Sequence, residues 1–312
     1  MRLAHLPLAA TVKHAVTGVA IACSLFAAST ANAALTFEFN FVVPTGNNVF
    51  NDAQKQAIVN AGNLFSSTFG THFSNTATLQ FDVISDNTGL ASAGQDLVFN
   101  PDGTNTEVVR TKVITGVDAN GSASDGMINI NLDVNFQYDP SAPVDFAGGQ
   151  IDLFSVIQHE VTHALGFQSF APSGFASKFD TFLTTTGGTP LVSGGVLNTA
   201  AVQDALANGA FFVGSNAVAA YGAAVPIEGP SGLLNHLGTF AFSSPQVPQN
   251  ALMLCCGGLN VLFEPRDYNS TEVGILADLG YSVTAVPEPS TYALMLAGLA
   301  GVGFVAKRRQ KS

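Results

Sequence analysis

The chain has 312 residues, 47% of them hydrophobic and 11% charged, with a formal net charge of −11, so apolar side chains are ample for a core. From Ala34 to Pro287, five basic side chains (Lys55, Arg110, Lys112, Lys178, Arg266) stand against 21 acidic ones, all of the 22 but Glu288, a net of −16. A surface this acidic repels phosphate backbones and argues against nucleic-acid binding, whereas it is compatible with calcium on acidic loops.

Residues 1–33 read as a secretory signal: Arg2, Lys13 and His14 form a basic start, Ala15 to Ala28 is apolar, and Ala31-Asn32-Ala33 is an A-x-A cleavage site. The run is short for a retained membrane anchor. The working domain is expected to be 34–285. Leu35 to Val43 alternates and is rich in β-branched and aromatic residues, which predicts a strand. Asn51 or Asp52 caps a helix to about Phe69, with Ala57, Ile58, Ala61, Leu64 and Phe65 inward. Further strands are predicted over Ala77 to Ile84, Thr106 to Val117 and Met127 to Phe136. The polar stretches 100–106 and 118–126 are turn-rich and acidic enough for calcium, but neither ends in the Glu of an EF-hand loop.

Ile151 to Gly166 reads IDLFSVIQHEVTHALG. Ile151, Phe154, Ile157, Val161, Ala164 and Leu165 recur at helical steps, and Gly166 supplies the stop. Within it, His159, Glu160 and His163 form HExxH. Residues four apart share a helix face, so the two imidazoles can meet one metal ion, with Glu160 beside the first as a candidate general base. Of the six histidines (His5, His14, His72, His159, His163, His236), the first two belong to the signal segment. His72, near a helix end, reads as a surface residue. Beyond Gly166 the pattern turns irregular apart from a short helix over Ala200 to Ala207.

A catalytic zinc takes three protein ligands and keeps one position open. His236, Asp180 and Glu228 are the candidates for the third. Of the three cysteines, Cys23 leaves with the signal. The adjacent pair Cys255-Cys256 fits a strained disulfide, an interchain pair or buried thiols, since consecutive residues do not readily bind one ion.

HEVTHALGF, with a glycine three residues after the second His, resembles the metzincin metalloproteases. Their compact motif places a third His where this chain has Ser169. The stretch NHLGTF…NALM resembles secreted bacterial metalloproteases and the leishmanolysin-like group, in which a long insertion precedes the third His. The resemblance covers roughly Met127 to Tyr281. It implies an α+β, zincin-like fold: a twisted mixed sheet, two packed helices, one bearing HExxH, and an irregular C-terminal subdomain with a methionine turn at Met253. It also implies His159, His163 and His236 as zinc ligands, Glu160 as general base, and cleavage of a protein or peptide substrate. Tyr268 or Tyr281 is a candidate oxyanion donor. The alternatives are a non-catalytic exported matrix or surface protein that keeps the fold, and a zinc hydrolase acting on another amide.

The end, Val286 to Ser312, runs Pro287-Glu288-Pro289, an apolar stretch from Tyr292 to Ala306, then Lys307, Arg308, Arg309 and Lys311. Fifteen helical residues span about 22 Å, short of a hydrocarbon core of about 30 Å, and the basic end favours the cytoplasm. This tail resembles the PEP-CTERM sorting signal of Gram-negative bacteria. The resemblance implies exosortase-type machinery as a partner, transient membrane association, and delivery to the cell envelope, surface or extracellular matrix.

Overall fold

Alternation and helical periodicity build the first strand, the first helix and the second strand where the sequence places them. The computed structural model describes residues 35–70, 73, 76–101, 105–229, 233–238, 251–254 and 266–282. The signal segment, His72, the Cys255-Cys256 pair and the tail lie outside the described residues. Strand β1 (Leu35–Val42) turns its phenylalanines inward. Helix α1 (Asp52–Phe69) starts at Asn51, whose side chain accepts from Gln54 N while Gln54 returns a bond to Asn51 N, each 2.9 Å. This capping box satisfies two end groups at once.

Strand β2 (Ala77–Asp86) and β3 (Ala91–Gln95) follow, then the short β4 (Leu97–Phe99) and β5 (Asn105–Glu107). The stretch expected as a third strand, 106–117, is instead mostly helix α2 (Val108–Thr115). Its β-branched residues lose their strand preference because a helix lets Val108, Val109 and Val113 bury one face together. Gly116, at φ 74, then closes it with a bond to Lys112 O. The expected strand 127–136 divides into β6 (Gly126–Asn131) and β7 (Phe136–Gln137). Asn131 ends β6 by accepting from Asp133 N at 3.0 Å, a local turn that competes with the ladder.

The main sheet has the order β1-β2-β6-β3. The first two pairings are parallel (Leu35 opposite Ala77, Phe81 opposite Gly126) and the last is antiparallel (Ala91 opposite Ile130). It is a mixed sheet with β3 on its edge. After β8 (Ile151–Asp152) comes α3 (Leu153–Ala164), which carries HExxH, packs beside α1 and crosses β3 and β6. Every residue of α3 is buried.

The remainder is more ordered than the sequence suggests. Two 3-10 turns (Ala171–Ser173 and Phe179–Phe182) lead to β9 (Leu183–Thr185) and the β10 (Val192–Ser193) and β11 (Val196–Leu197) hairpin. Then come α4 (Thr199–Asn208), β12 (Ala210–Phe212), α5 (Ser215–Tyr221), β13 (Val225–Ile227) and α6 (Ser270–Asp278). Strands β13, β12 and β9 form a second, antiparallel sheet. Helices α5 and α6 touch so closely that a Cβ on Gly274 would lie 2.7 Å from Ala217 Cα. The architecture is mixed α+β. Among the described residues, no helix is long and apolar enough to cross a membrane.

The HExxH helix is fixed at its start by an ion pair whose carboxylate is buried. Asp152 caps α3, accepting from Phe154 N at 3.1 Å and Ser155 Oγ at 2.7 Å, and Arg266 grips the same carboxylate at 2.6 and 2.8 Å. Asp152 is 2% exposed, so removing its partner strands a buried charge. Arg266→Ala is therefore expected to cost about 3 kcal/mol of stability in urea denaturation of the full chain. A loss below about 1 kcal/mol would mean that the carboxylate is held by its local donors alone.

Candidate metal centre

Helix α3 places His159 and His163 one turn apart on one face, and the sequence just beyond it orients the second ring. Gly166 takes φ 96, a conformation costly for other residues, and a Cβ there would press on Gln95 Nε2 at 3.3 Å. The resulting bend turns Phe167 O back to accept from His163 Nδ1 at 2.9 Å. His159 Nδ1 donates to Leu252 O at 2.7 Å. With both Nδ1 protons committed, each Nε2 carries a lone pair directed to the same point.

The third ring arrives from a remote segment. His236 O accepts from Glu228 N at 3.0 Å, Gly238 N donates to Pro226 O at 2.9 Å, and Leu237 N donates to Met253 O at 2.8 Å. His236 is thereby strapped between the end of β13 and the Met253 turn. Leu234, two residues earlier, is buried yet sits at φ 53, a left-handed conformation that costs a leucine about 1–2 kcal/mol. Among the described residues nothing bonds His236 Nδ1.

The three Nε2 atoms form a nearly equilateral triangle: 3.0 Å for His159 to His163, 3.0 Å for His159 to His236, and 3.1 Å for His163 to His236. Lone pairs this close repel unless a cation lies among them. Imidazole nitrogens about 2.0–2.1 Å from a shared ion stand about 2.9–3.4 Å apart for coordination angles of 90–110°. The donor set fits a metal ion, and among the described residues these histidines are the one group of three or more ligating side chains so arranged. Burial pushes His159 down to about 4 and His236 down to about 3, and drives His163 well below its ordinary value with help from the other two rings. All three are therefore neutral, ligand-competent imidazoles at pH 7.

Glu160, 6% exposed, lines the same cleft of about 610 Å³, which runs between α3, the His236 segment and β3. The rival ligands go elsewhere. Asp180 is fully buried and receives Ser169 Oγ (2.5 Å), Phe170 N (3.1 Å), Ser177 N (2.8 Å) and Ser177 Oγ (2.7 Å), so it closes the loop after α3. Glu228 contributes its backbone to His236 and stands outside the ligand cluster. The two tyrosines are also misassigned as oxyanion donors. Tyr268 Oη bonds Thr162 Oγ1 and Tyr281 Oη donates to Leu165 O, each at 2.6 Å, so both brace α3 from within the core. Burial raises both phenols above their ordinary pKa.

The sequence places a methionine turn at Met253 but misses Glu272, which holds that turn. Met253 is fully buried, and its N–H donates to the Glu272 carboxylate at 2.6 Å. Glu272 is itself buried and pushed up to about 7 by desolvation. The helical signature Asn269-Ser-Thr-Glu272, a second capping box, was the signal that marked this residue. In the 118–126 loop, Asp118 and Asp125 both close on Lys112, at 2.9 and 3.0 Å.

The PEP-CTERM protein-sorting motif matches residues 285–309. The chain thus carries the export address of a Gram-negative type of envelope, which exosortase-type sorting machinery recognises. No curated protein and no solved structure matches the chain.

Two outcomes test the centre. His236→Ala is expected to abolish stoichiometric binding of a divalent metal ion, measured by elemental analysis after dialysis, because two imidazoles alone leave an incomplete set. In metal-free protein the unfolded chain takes up protons near pH 6.5, whereas folded His159 and His236 resist until about 4 and about 3. The stability they contribute is complete above pH 6.5 and falls as the pH drops through that window. Urea midpoints measured in chelator from pH 7.5 to 4.5 should fall, and more shallowly in His236→Ala.

Proposed function

We propose that the chain is an exported, zinc-dependent endopeptidase of zincin type, and the observation that carries this reading is the His159–His163–His236 triangle with Glu160 beside it in an open cleft. Three neutral imidazoles suit zinc among the common divalent ions. A zinc ion there would lower the pKa of a water toward neutrality and polarise a carbonyl.

The chain's own residues divide the remaining work. Glu160, next in sequence to His159 and facing the same cleft, takes the proton from the attacking water and passes it to the leaving amine. Leu252 O and Phe167 O hold the rings in one tautomer, so each Nε2 stays available. Met253 and Glu272 brace the turn that supplies the first of those carbonyls.

Support for a peptide substrate comes from β3. It is the edge of the main sheet, and its flank, from Gly89 to Asp96, lines the cleft. An extended peptide laid there would pair with the free backbone edge, bringing a scissile amide toward the histidines. The element order of strand, α1, strands and α3 supports the zincin relation in the same way.

Glu160→Gln should keep its zinc and lose at least about 10³-fold in kcat on casein. Wild-type turnover should stop with a chelator and return with zinc. Equal turnover by the variant would remove Glu160 from the chemistry. No turnover by the zinc-loaded wild type would leave an exported, metal-binding surface protein.

A further inference from the structure

The cleft beside the histidines carries one sign of charge. Glu160 and Asp96 are among its lining residues, and among the described residues no lysine or arginine lines it. Nor is there a spare cation nearby, because all five basic side chains of 34–287 are engaged elsewhere. Arg110 pairs with Glu107 at 3.1 Å, Lys112 with Asp118 and Asp125, and Arg266 with Asp152. Lys178 and Lys55 lie over the rings of Phe182 and Phe41, at 4.7 and 5.7 Å.

Asp96 directly follows β3 and is half-buried. Its backbone is fixed on both sides: its N–H donates to Asp125 O at 2.8 Å and its carbonyl accepts from Val108 N at 3.0 Å. Among the described residues, no hydrogen bond or ion pair reaches its carboxylate. Desolvation, with Asp82 and Asp125 nearby, holds its carboxyl above the usual range. A half-buried carboxylate among like charges gains most from an incoming cation. Close by, Met127, which faces Gly94 across the β3–β6 register, is 43% exposed and offers apolar surface to an alkyl stem.

We propose that Asp96 is a specificity-determining residue that receives a lysine or arginine side chain of a peptide lying along β3, so that the cleft selects cationic segments and repels acidic ones. The proposal rests on the reading of the cleft as a peptide site. A basic side chain reaching Asp96 neutralises a carboxylate that has no hydrogen-bond or ion-pair partner among the described residues. An acidic one placed there meets the Asp96 carboxylate with no lysine or arginine beside it to offset the repulsion.

Binding tests this without requiring turnover. Two fluorescent peptides, identical except for Lys or Glu at several positions, are titrated by polarisation against zinc-loaded, full-length Glu160→Gln protein. The Lys peptide is expected to bind at least about tenfold more tightly. Adding Asp96→Asn should cut that ratio to about threefold or less, and Asp96→Lys should reverse the preference. Asp204→Asn removes the same charge from exposed α4 and should leave the ratio intact. Zinc content equal to the parent's certifies that each variant folds. Equal binding of the two peptides, binding of neither, a ratio unmoved by Asp96→Asn, or an equal fall in Asp204→Asn would overturn the proposal. Casein hydrolysis without charge preference would sink this inference and spare the peptidase reading; a preference that depends on Asp96 without hydrolysis would do the reverse.

Discussion

Two backbone carbonyls govern the centre. Leu252 O and Phe167 O each take an Nδ1 proton, and by doing so decide which nitrogen of His159 and His163 is free to bind. An imidazole that lost this bond would rotate or change tautomer, and the 3.0 Å convergence would go with it. Much of the surrounding fold serves to keep those carbonyls where they are. Gly166 makes the bend that delivers one of them. Glu272, reaching from α6 to Met253 N, steadies the turn that delivers the other.

The same logic extends outward. Arg266 and Asp152 fix the start of α3, Tyr268 and Tyr281 both fix its C-terminal end, and α1 packs beside it. The helix is buried throughout, and only the face that carries Val156, His159, Glu160 and His163 lines the cleft. A rigid helix with one opening presents its imidazoles in a single arrangement, as a preorganised metal site would require.

How much of this was legible in the sequence depends on range. HExxH, its helix, the stop at Gly166 and the cap at Asn51 are local features, and they appear where periodicity and cap chemistry place them. His236 was singled out by a resemblance and by the scarcity of histidines, and it stands with the other two. Among the features that escaped, three show why. The 108–115 segment has strand-forming residues, yet burial of Val108, Val109 and Val113 makes it a helix. Strand β3, ASAGQ, has almost no strand propensity and exists because β6 offers it a ladder. The tyrosines carry the right chemistry for an oxyanion donor, but their direction is set by tertiary packing, which no local pattern encodes.

The ligands also stand far apart along the chain: His163 and His236 are 73 residues from one another. An ion shared by them ties a long loop. In polymer terms such a crosslink removes of the order of 4 kcal/mol of entropy from the unfolded chain. The tail's address marks the protein for export to the cell envelope. There the metal would act as a clasp, holding the second sheet and α6 to the main sheet for as long as it stays bound.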